Sequence, residues 1–286
     1  MKEQDGINLI EQVIADDNLW KAYKKVKKNK GAPGIDGITV NQLKAHMEKY
    51  YQALKQKLKD GTYQPQPVKR VAIPKADGSK RYLGIPCVLD RVVQQAILQV
   101  IEPIIDPHFS DNSYGFRKGR SAHQAIKKAE EYYEEGYRVV VDCDLKSYFD
   151  TIHHHRIRDY LGYFITDKTV LRLTWKFLRS GILDRDIYIE TSKGAPQGGP
   201  LSPILANVYL NMLDRELEKR GHRFIRYADD FVIYVKSRRA AERVMEGITE
   251  YLEKDLQLTI NQEKSQICGA TKATFLGFNI QNLMGK

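Results

Sequence analysis

Two pairs of aspartates stand where sequences normally avoid charge. Asp142 and Asp144 end the apolar run YRVVVDCDL, and Asp229 and Asp230 interrupt the apolar and aromatic run IRYADDFVIYV. Side chains alternate across a strand, so Asp142 and Asp144 share one face while Cys143 faces away. Carboxylates held against apolar surroundings need a compensating cation. These four carboxylates are therefore the first candidates for chemistry in the chain.

The donor types favour a hard metal ion. The three cysteines are widely separated, so they fit neither a disulfide framework nor a zinc site. Carboxylate oxygens instead favour Mg²⁺, with Mn²⁺ as an alternative, and two such ions about 3.5–4 Å apart can clamp phosphoryl transfer. The alternative is a solvent-exposed Asp-Asp turn, with the first aspartate pair bonded to lysines. The histidine run His153–His155 is interpreted as a surface turn rather than a metal cluster.

Composition points to a polyanionic partner. The 286 residues include 46 Lys and Arg against 36 Asp and Glu, a formal charge of +10, which favours nucleic acid. No window is apolar enough for a membrane helix, and the N-terminus MKEQDGINLIEQ lacks a secretory signal. These features predict no membrane partner and a reducing cytoplasm.

Hydrophobic periodicity predicts a mixture of helices and strands. Leu19, Ala22, Tyr23 and Val26 recur at helical spacing, with lysines on the opposite face. Those lysines fit a solvated face and an RNA-contacting face equally well. A hairpin is expected on either side of the Asp-Gly turn in IPKADGSKRYLGIP, and short strands at Leu258–Ile260 and Phe275–Ile280. Strands mixed with long helices indicate an α/β or α+β fold.

Several motifs, in this order along the chain, resemble those of reverse transcriptases. YADD resembles the catalytic motif, DLKSYFD the first catalytic-aspartate motif, and APQGGPLSPILANVYL the motif that packs on template and nucleotide. LTINQEKSQI and TFLGFNI resemble the two palm motifs that follow. Upstream, KGAPGIDG, IPKADGSKRYLGIP and SYGFRKGRSAHQAI resemble the fingers of group II intron-encoded maturase reverse transcriptases.

The resemblance implies a right-hand polymerase fold. An antiparallel palm sheet with packed helices would join fingers built of helices and a hairpin. The expected segments are an N-terminal helical extension over 1–66, fingers over 67–135 and palm over 136–286. Because the chain ends soon after TFLGFNI, we expect the thumb to be absent, and processive synthesis by this chain alone to be weak or absent.

The resemblance also implies roles for individual residues. Asp144, Asp229 and Asp230 match metal-binding catalytic carboxylates, with the carbonyl of Leu145 as a further ligand, and Lys264 matches a lysine that protonates leaving pyrophosphate. The implied nucleotide-binding residues are Lys75, Arg81, Phe149, Gln197 and Arg117, with Phe149 excluding a 2′-hydroxyl. The implied RNA or template contacts are Arg120, Gly198, Lys24, Lys25, Lys27 and Lys28.

The implied function is an RNA-directed DNA polymerase that copies intron RNA into DNA with two Mg²⁺ ions. Its implied partners are group II intron RNA, a DNA or RNA primer and dNTPs, in the cytoplasm of a bacterial or organellar host. One alternative is an RNA-binding module that assists splicing, with little polymerase activity. Another, an RNA-dependent RNA polymerase, is disfavoured by the bulky Phe149. The sequence leaves the oligomeric state open between monomer and homodimer.

Overall fold

A computed structural model describes residues 8–74, 78, 80–185, 187–195 and 198–279. The helices are α1 (Leu9–Val13), α2 (Asp16–Asn29), α3 (Leu43–Lys59), α4 (Val88–Ile105), α5 (Ala122–Glu134), α6 (Tyr148–Thr151), α7 (His154–Leu161), α8 (Lys168–Leu178), α9 (Ser202–Lys219) and α10 (Arg238–Lys254). The strands are β1 (Val68–Pro74), β2 (Lys80–Ile85), β3 (Val139–Cys143), β4 (Ile182–Asp184), β5 (Ile187–Ile189), β6 (Arg223–Tyr227), β7 (Asp230–Val235), β8 (Gln266–Gly269), β9 (Thr274–Phe275) and β10 (Phe278–Asn279). None of the described helices is both long and apolar enough to cross a bilayer.

The chain divides into two compact units that are each discontinuous in sequence. The first unit comprises residues 1–107 and 152–205, and the second comprises 108–151 and 206–286. The sequence division into an N-terminal extension, fingers and palm stays a prediction, because these units do not test it.

The first unit combines helices with a four-stranded sheet of order β2-β1-β4-β5. The predicted β1–β2 hairpin is confirmed, and its register pairs Val71 with Leu83 and Ile73 with Arg81. Helix α2 packs on α4 through its apolar face, where Leu19, Ala22, Tyr23 and Val26 are buried. The predicted helix and its buried stripe are therefore confirmed.

One prediction for the first unit is wrong. The sequence predicts His154 in a surface turn, but this residue begins α7 and is only 1% exposed. Its Nε2 lies 2.6 Å from the carbonyl oxygen of Gly194. Burial lowers the pKa of His154, so the neutral ring is favoured. The ring is thus part of the core of this unit.

The second unit is built on a four-stranded antiparallel sheet of order β6-β7-β3-β8. Helix α10 packs on β3, β7 and β8, and α5 packs on β6. The apolar residues of the central strands explain this arrangement, since Val140, Val232 and Tyr234 lie in one buried cluster with Tyr132 of α5. Asp142 lies in β3 and Asp230 in β7, the two central strands, while Asp144 directly follows β3 and Asp229 directly precedes β7.

Candidate active site

The central strand pair brings the two aspartate pairs together. In the antiparallel register of β3 and β7, Asp142 lies opposite Val232 and Cys143 lies opposite Phe231. Asp144 and Asp230 are the next residues along the two chains, and the charge of Asp144 acts on the pKa of Asp230. Directly opposed residues in such a ladder have Cα atoms about 4.5–5.5 Å apart. Carboxylates that are distant in sequence therefore meet at one end of the sheet.

Asp229 lies in the tight turn between β6 and β7. Tyr227 pairs with Asp230, so Ala228 and Asp229 form a two-residue hairpin turn. Ala228 has a φ of +59°, a left-handed conformation that a residue with a Cβ adopts only at a cost. Short hairpin turns commonly need a positive φ at this position. The turn thus carries backbone strain immediately beside the aspartates.

The negative charges of these side chains affect one another. Partial burial, followed by the charges of Asp229, Asp144 and Asp142, raises the pKa of Asp230 to about 6, and Lys264 opposes the rise. Burial and then Asp144 also raise the pKa of Asp142, while a hydrogen bond from Gln266 opposes it. The end of the sheet is therefore a site of accumulated negative charge, where a cation would be stabilised.

Asp144 is held in place by the loop that precedes β8. Asn261 Nδ2 donates a hydrogen bond of 2.9 Å to Asp144 Oδ2, and the Asp144 amide donates one of 3.0 Å to Ser265 Oγ. Leu145 lies opposite Ile260 in an isolated antiparallel bridge. The Lys146 amide donates to the carbonyl of Thr259 and the Asn261 amide donates to the carbonyl of Asp144, each at 2.8 Å. The carbonyl of Leu145 is therefore not one of the acceptors in this bridge. The exposed Lys264 lies in the same loop.

Carboxylate and carbonyl oxygens are the donors that a hard divalent cation prefers. Within the described ranges, no three His, Cys, Asp or Glu side chains close around a common point as a metal cluster would. The residues present fit such an ion by donor type and charge.

A buried ionic network lies behind the turn. Arg226 and Asp214 are both fully buried and form a bidentate pair, with Nε–Oδ1 at 2.7 Å and Nη2–Oδ2 at 2.6 Å. Arg226 Nη1 also donates to Asn207 Oδ1 and to the carbonyl of Ala228, each at 2.8 Å. The strained turn is therefore bonded to a buried charge pair.

The same network reaches the loop between α4 and α5. Asn207 Nδ2 donates a 2.9 Å hydrogen bond to the carbonyl of Gly115. A Cβ at Gly115 would lie 2.2 Å from the amide nitrogen of Ala228, so only glycine allows this approach. Sequence reasoning did not identify these residues. The available signal was the i, i+4, i+7 spacing of Asn207, Asn211 and Asp214 within the apolar run ANVYLNMLD.

Phe149 lies half-buried among aromatic rings. Its ring centroid is 5.3 Å from that of Tyr148 and 6.5 Å from that of Phe116, both edge to face. Tyr148 is buried and its hydroxyl donates a 2.7 Å hydrogen bond to the carbonyl of Ala206. Phe149 thus directly follows a rigidly anchored tyrosine.

Two arginines predicted to touch phosphates are bonded within their own loop. Arg117 Nη1 donates to the carbonyls of Ser110 and Ser113, at 2.7 and 2.8 Å. Arg120 Nη2 lies 2.6 Å from Asp111 Oδ1. These contacts fix both arginines to their loop, and their predicted contacts with phosphates stay predictions.

The predicted nucleotide contacts of the fingers are described only in part. Lys75 and Gln197 lie outside the described residues, and only the backbone of Arg81 is described. Gly198 has a φ of +131°, and a Cβ there would lie 2.5 Å from the carbonyl oxygen of Gly84. Packing of the loop against β2 therefore explains this glycine without a template contact.

The lysines predicted to bind RNA form one exposed surface. Lys24, Lys25, Lys27 and Lys28, here called the α2 lysines, are exposed on α2 outside its buried stripe, and Lys27 Nζ lies 5.8 Å from the ring centroid of Tyr23 in that stripe. Such a row of cations can follow a phosphate backbone.

The geometry of this site and sheet agrees with comparisons with known proteins. A family model described as "Reverse transcriptase (RNA-dependent DNA polymerase)" matches residues 73–280. The chain therefore belongs to the reverse transcriptase family.

Individual relatives narrow the family further. Protein YkfC of Escherichia coli K12 is 35% identical over 91% of this chain and 78% of its own length. The group II intron-encoded protein LtrA of Lactococcus lactis subsp. cremoris is 31% identical over 96% of this chain and 56% of its own length. These relatives confirm the resemblance to group II intron-encoded reverse transcriptases, and the chain spans a little over half of LtrA.

A solved structure confirms the predicted fold class. Telomerase from Candida albicans matches with a TM-score of 0.61 at 12% identity, over 85% of this chain and 48% of that one. The fold is a right-hand polymerase fold that combines helices with an antiparallel β6-β7-β3-β8 sheet, as expected.

Proposed function

We propose that this chain is the RNA-directed DNA polymerase core of a group II intron maturase, which copies intron RNA into DNA. The observation that carries the proposal is that the β3–β7 register ends at Cys143 opposite Phe231, one residue before Asp144 and Asp230 and beside the turn that holds Asp229. Family membership supports the reaction type, and this arrangement supports the residues that perform it.

Asp144, Asp229, Asp230 and the carbonyl of Leu145 would hold two Mg²⁺ ions, and Mn²⁺ has the same donor preference. Bound there, the ions would activate the primer 3′-hydroxyl and stabilise the charge of the leaving pyrophosphate. The raised pKa of Asp230 is consistent with this assignment, because burial and then the negative charges of Asp229, Asp144 and Asp142 raise it, and Lys264 opposes the rise.

Protein side chains would perform the remaining steps. Lys264, whose charge acts on Asp230, is the candidate proton donor to pyrophosphate. Phe149 would lie against the sugar and exclude a 2′-hydroxyl, which selects dNTPs over ribonucleotides. Lys75, Arg81 and Gln197 stay candidates for gripping the incoming nucleotide.

A second function, binding of intron RNA to assist splicing, is favoured by the α2 lysines. Their exposed row gives the first unit a cationic face with buried apolar residues behind it. Binding through dispersed phosphate contacts does not need the aspartates, so the two functions can be separated by mutation.

The test is primer extension on an RNA template with dNTPs and Mg²⁺, in the wild type and in Asp230→Asn. We expect Asp230→Asn to lose DNA synthesis while its RNA affinity stays within about twofold, because binding depends on other residues. Glu246→Gln removes one charge from an exposed position on α10 of the same unit and is the matched control.

Two results would contradict the proposal. Full synthesis by Asp230→Asn would remove the aspartate cluster from the reaction. An equal loss of synthesis in Glu246→Gln would show that net charge, rather than the site, controls the activity.

A further inference from the structure

Phe116 adopts a backbone conformation that its side chain disfavours. Its φ is +59°, in the left-handed region, where a bulky aromatic residue is a true outlier. The side chain is 51% exposed, so burial of the ring does little to offset this strain. Strained residues of this kind persist where the surroundings hold them, and they cluster at functional sites.

The surroundings of Phe116 fix its backbone to the catalytic turn. The preceding residue, Gly115, packs against the amide of Ala228 and accepts the hydrogen bond from Asn207. Tyr114 donates its amide to the carbonyl of Arg226 at 2.9 Å. The loop and the turn that carries Asp229 therefore form one bonded assembly, from which the Phe116 ring projects.

The ring of Phe116 contacts the ring of Phe149. The centroids are 6.5 Å apart with an interplanar angle of 75°, the edge-to-face geometry that aromatic pairs prefer. Tyr148 supplies a second edge-to-face contact to Phe149, at 5.3 Å. Phe149 is thus held by a buried ring that is its chain neighbour and by an exposed ring from a distant loop.

We propose that Phe116 is a positioning residue for sugar selection: its ring fixes the Phe149 ring where it excludes the 2′-hydroxyl of a ribonucleotide. The inference rests on the proposed DNA polymerase function and extends it to a second residue. It explains why the folded chain keeps an exposed aromatic ring at a strained position that glycine would occupy without cost.

The test compares kcat/KM for a dNTP and the matching ribonucleotide in primer extension on an RNA template. The central variant is Phe116→Gly, which removes the ring while its backbone adopts the left-handed conformation freely, so folding is preserved. We expect its preference for the dNTP to fall about 2- to 12-fold, the range for loss of one aromatic pair. Phe116→Tyr, which keeps the ring edge, should retain the wild-type preference.

A double-mutant cycle separates positioning from direct contact. If Phe116 acts through Phe149, then Phe116→Gly should lower the preference no further once Phe149→Ala is present. Additive losses would overturn the inference, since they would mean that Phe116 touches the substrate independently. A change in kcat/KM that is equal for both sugars would overturn it as well.

The same experiment distinguishes this inference from the proposed function. Suppose that the wild type is active, that Phe149→Ala loses the preference for dNTPs, and that Phe116→Gly keeps it. This result would contradict the role of Phe116 but not the proposed polymerase function. Processive synthesis is not needed for this test, and a wild-type chain that adds not even one nucleotide to the primer with either Mg²⁺ or Mn²⁺ would contradict both.

Discussion

Arg226 should be essential both for folding and for the geometry of the turn that carries Asp229. Its guanidinium is fully buried and makes four hydrogen bonds, two to Asp214, one to Asn207 and one to the carbonyl of Ala228. Arg226→Met leaves the Asp214 carboxylate buried without its partner, which should cost about 3–5 kcal/mol of the free energy of unfolding. Arg226→Lys should also destabilise the fold, because one ammonium cannot satisfy acceptors arranged for a planar guanidinium.

The double variant Arg226→Met/Asp214→Leu separates stability from activity. Replacing both members of a buried ion pair with apolar residues of similar size commonly restores most of the lost stability. The carbonyl of Ala228 nonetheless loses its donor, so the turn that carries Asp229 is no longer held. We expect near wild-type unfolding by urea, with primer extension reduced about 100-fold, the scale of an ångström-sized displacement of a catalytic group.

Arg238→Met is the control for removal of an arginine. The ion pair of Arg238 with Glu242 is exposed, so Arg238→Met should lower the free energy of unfolding by less than about 1 kcal/mol. The reasoning would be refuted if Arg226→Met cost no more than this control, or if the double variant kept full activity.

Three further predictions concern other parts of the chain. Burial raises the pKa of Asp90 to about 6, against hydrogen bonds from Tyr63 and Gln66. The folded state therefore retains a proton that the unfolded chain releases, and stability falls as pH rises from about 4 to about 6. Asp90→Asn should raise the free energy of unfolding, measured with urea, more at pH 8 than at pH 4. The difference between the two effects should be up to about 3 kcal/mol, and equal effects at both pH values would contradict this. Gly115→Ala should lower the free energy of unfolding by about 1–3 kcal/mol and abolish primer extension. Gly269→Ala, whose added Cβ would have no described atom within 4 Å, should change neither property. A stable and active Gly115→Ala would refute the close approach of the two backbones. Replacing the α2 lysines with glutamine should reduce the dependence of log Kd for RNA on log salt by about 0.7 for each lysine that binds a phosphate, and an unchanged slope would place the RNA elsewhere.

Features with a local sequence pattern were predictable. The buried stripe of α2 follows from spacing along one helix, and the β1–β2 hairpin follows from alternation on either side of an Asp-Gly turn. Polar residues between two apolar runs are typical of a turn, and Asp229 lies in one. In each case neighbours in sequence determine the structure.

Features that depend on distant partners were not predictable. Arg226 lies in a strand, and nothing near it in sequence shows that Asp214 and Asn207 of α9 will surround it. Strand β8 has little alternation of apolar and polar residues, and its pairing with β3 defines it. The expected strand Leu258–Ile260 forms only an isolated bridge, between Ile260 and Leu145, among the described residues. His154 is buried because its ring bonds to the backbone of Gly194, which lies 40 residues away in sequence.

The convergence of Asp144, Asp229 and Asp230 on metal ions is tested most directly by anomalous scattering from manganese. Crystals of the chain soaked with Mn²⁺ and a non-hydrolysable dNTP should show two peaks, about 3.5–4 Å apart, within bonding distance of these carboxylates. In Asp230→Asn at least one peak should weaken or disappear. Manganese bound only at other residues, or peaks unchanged by Asp230→Asn, would contradict the account.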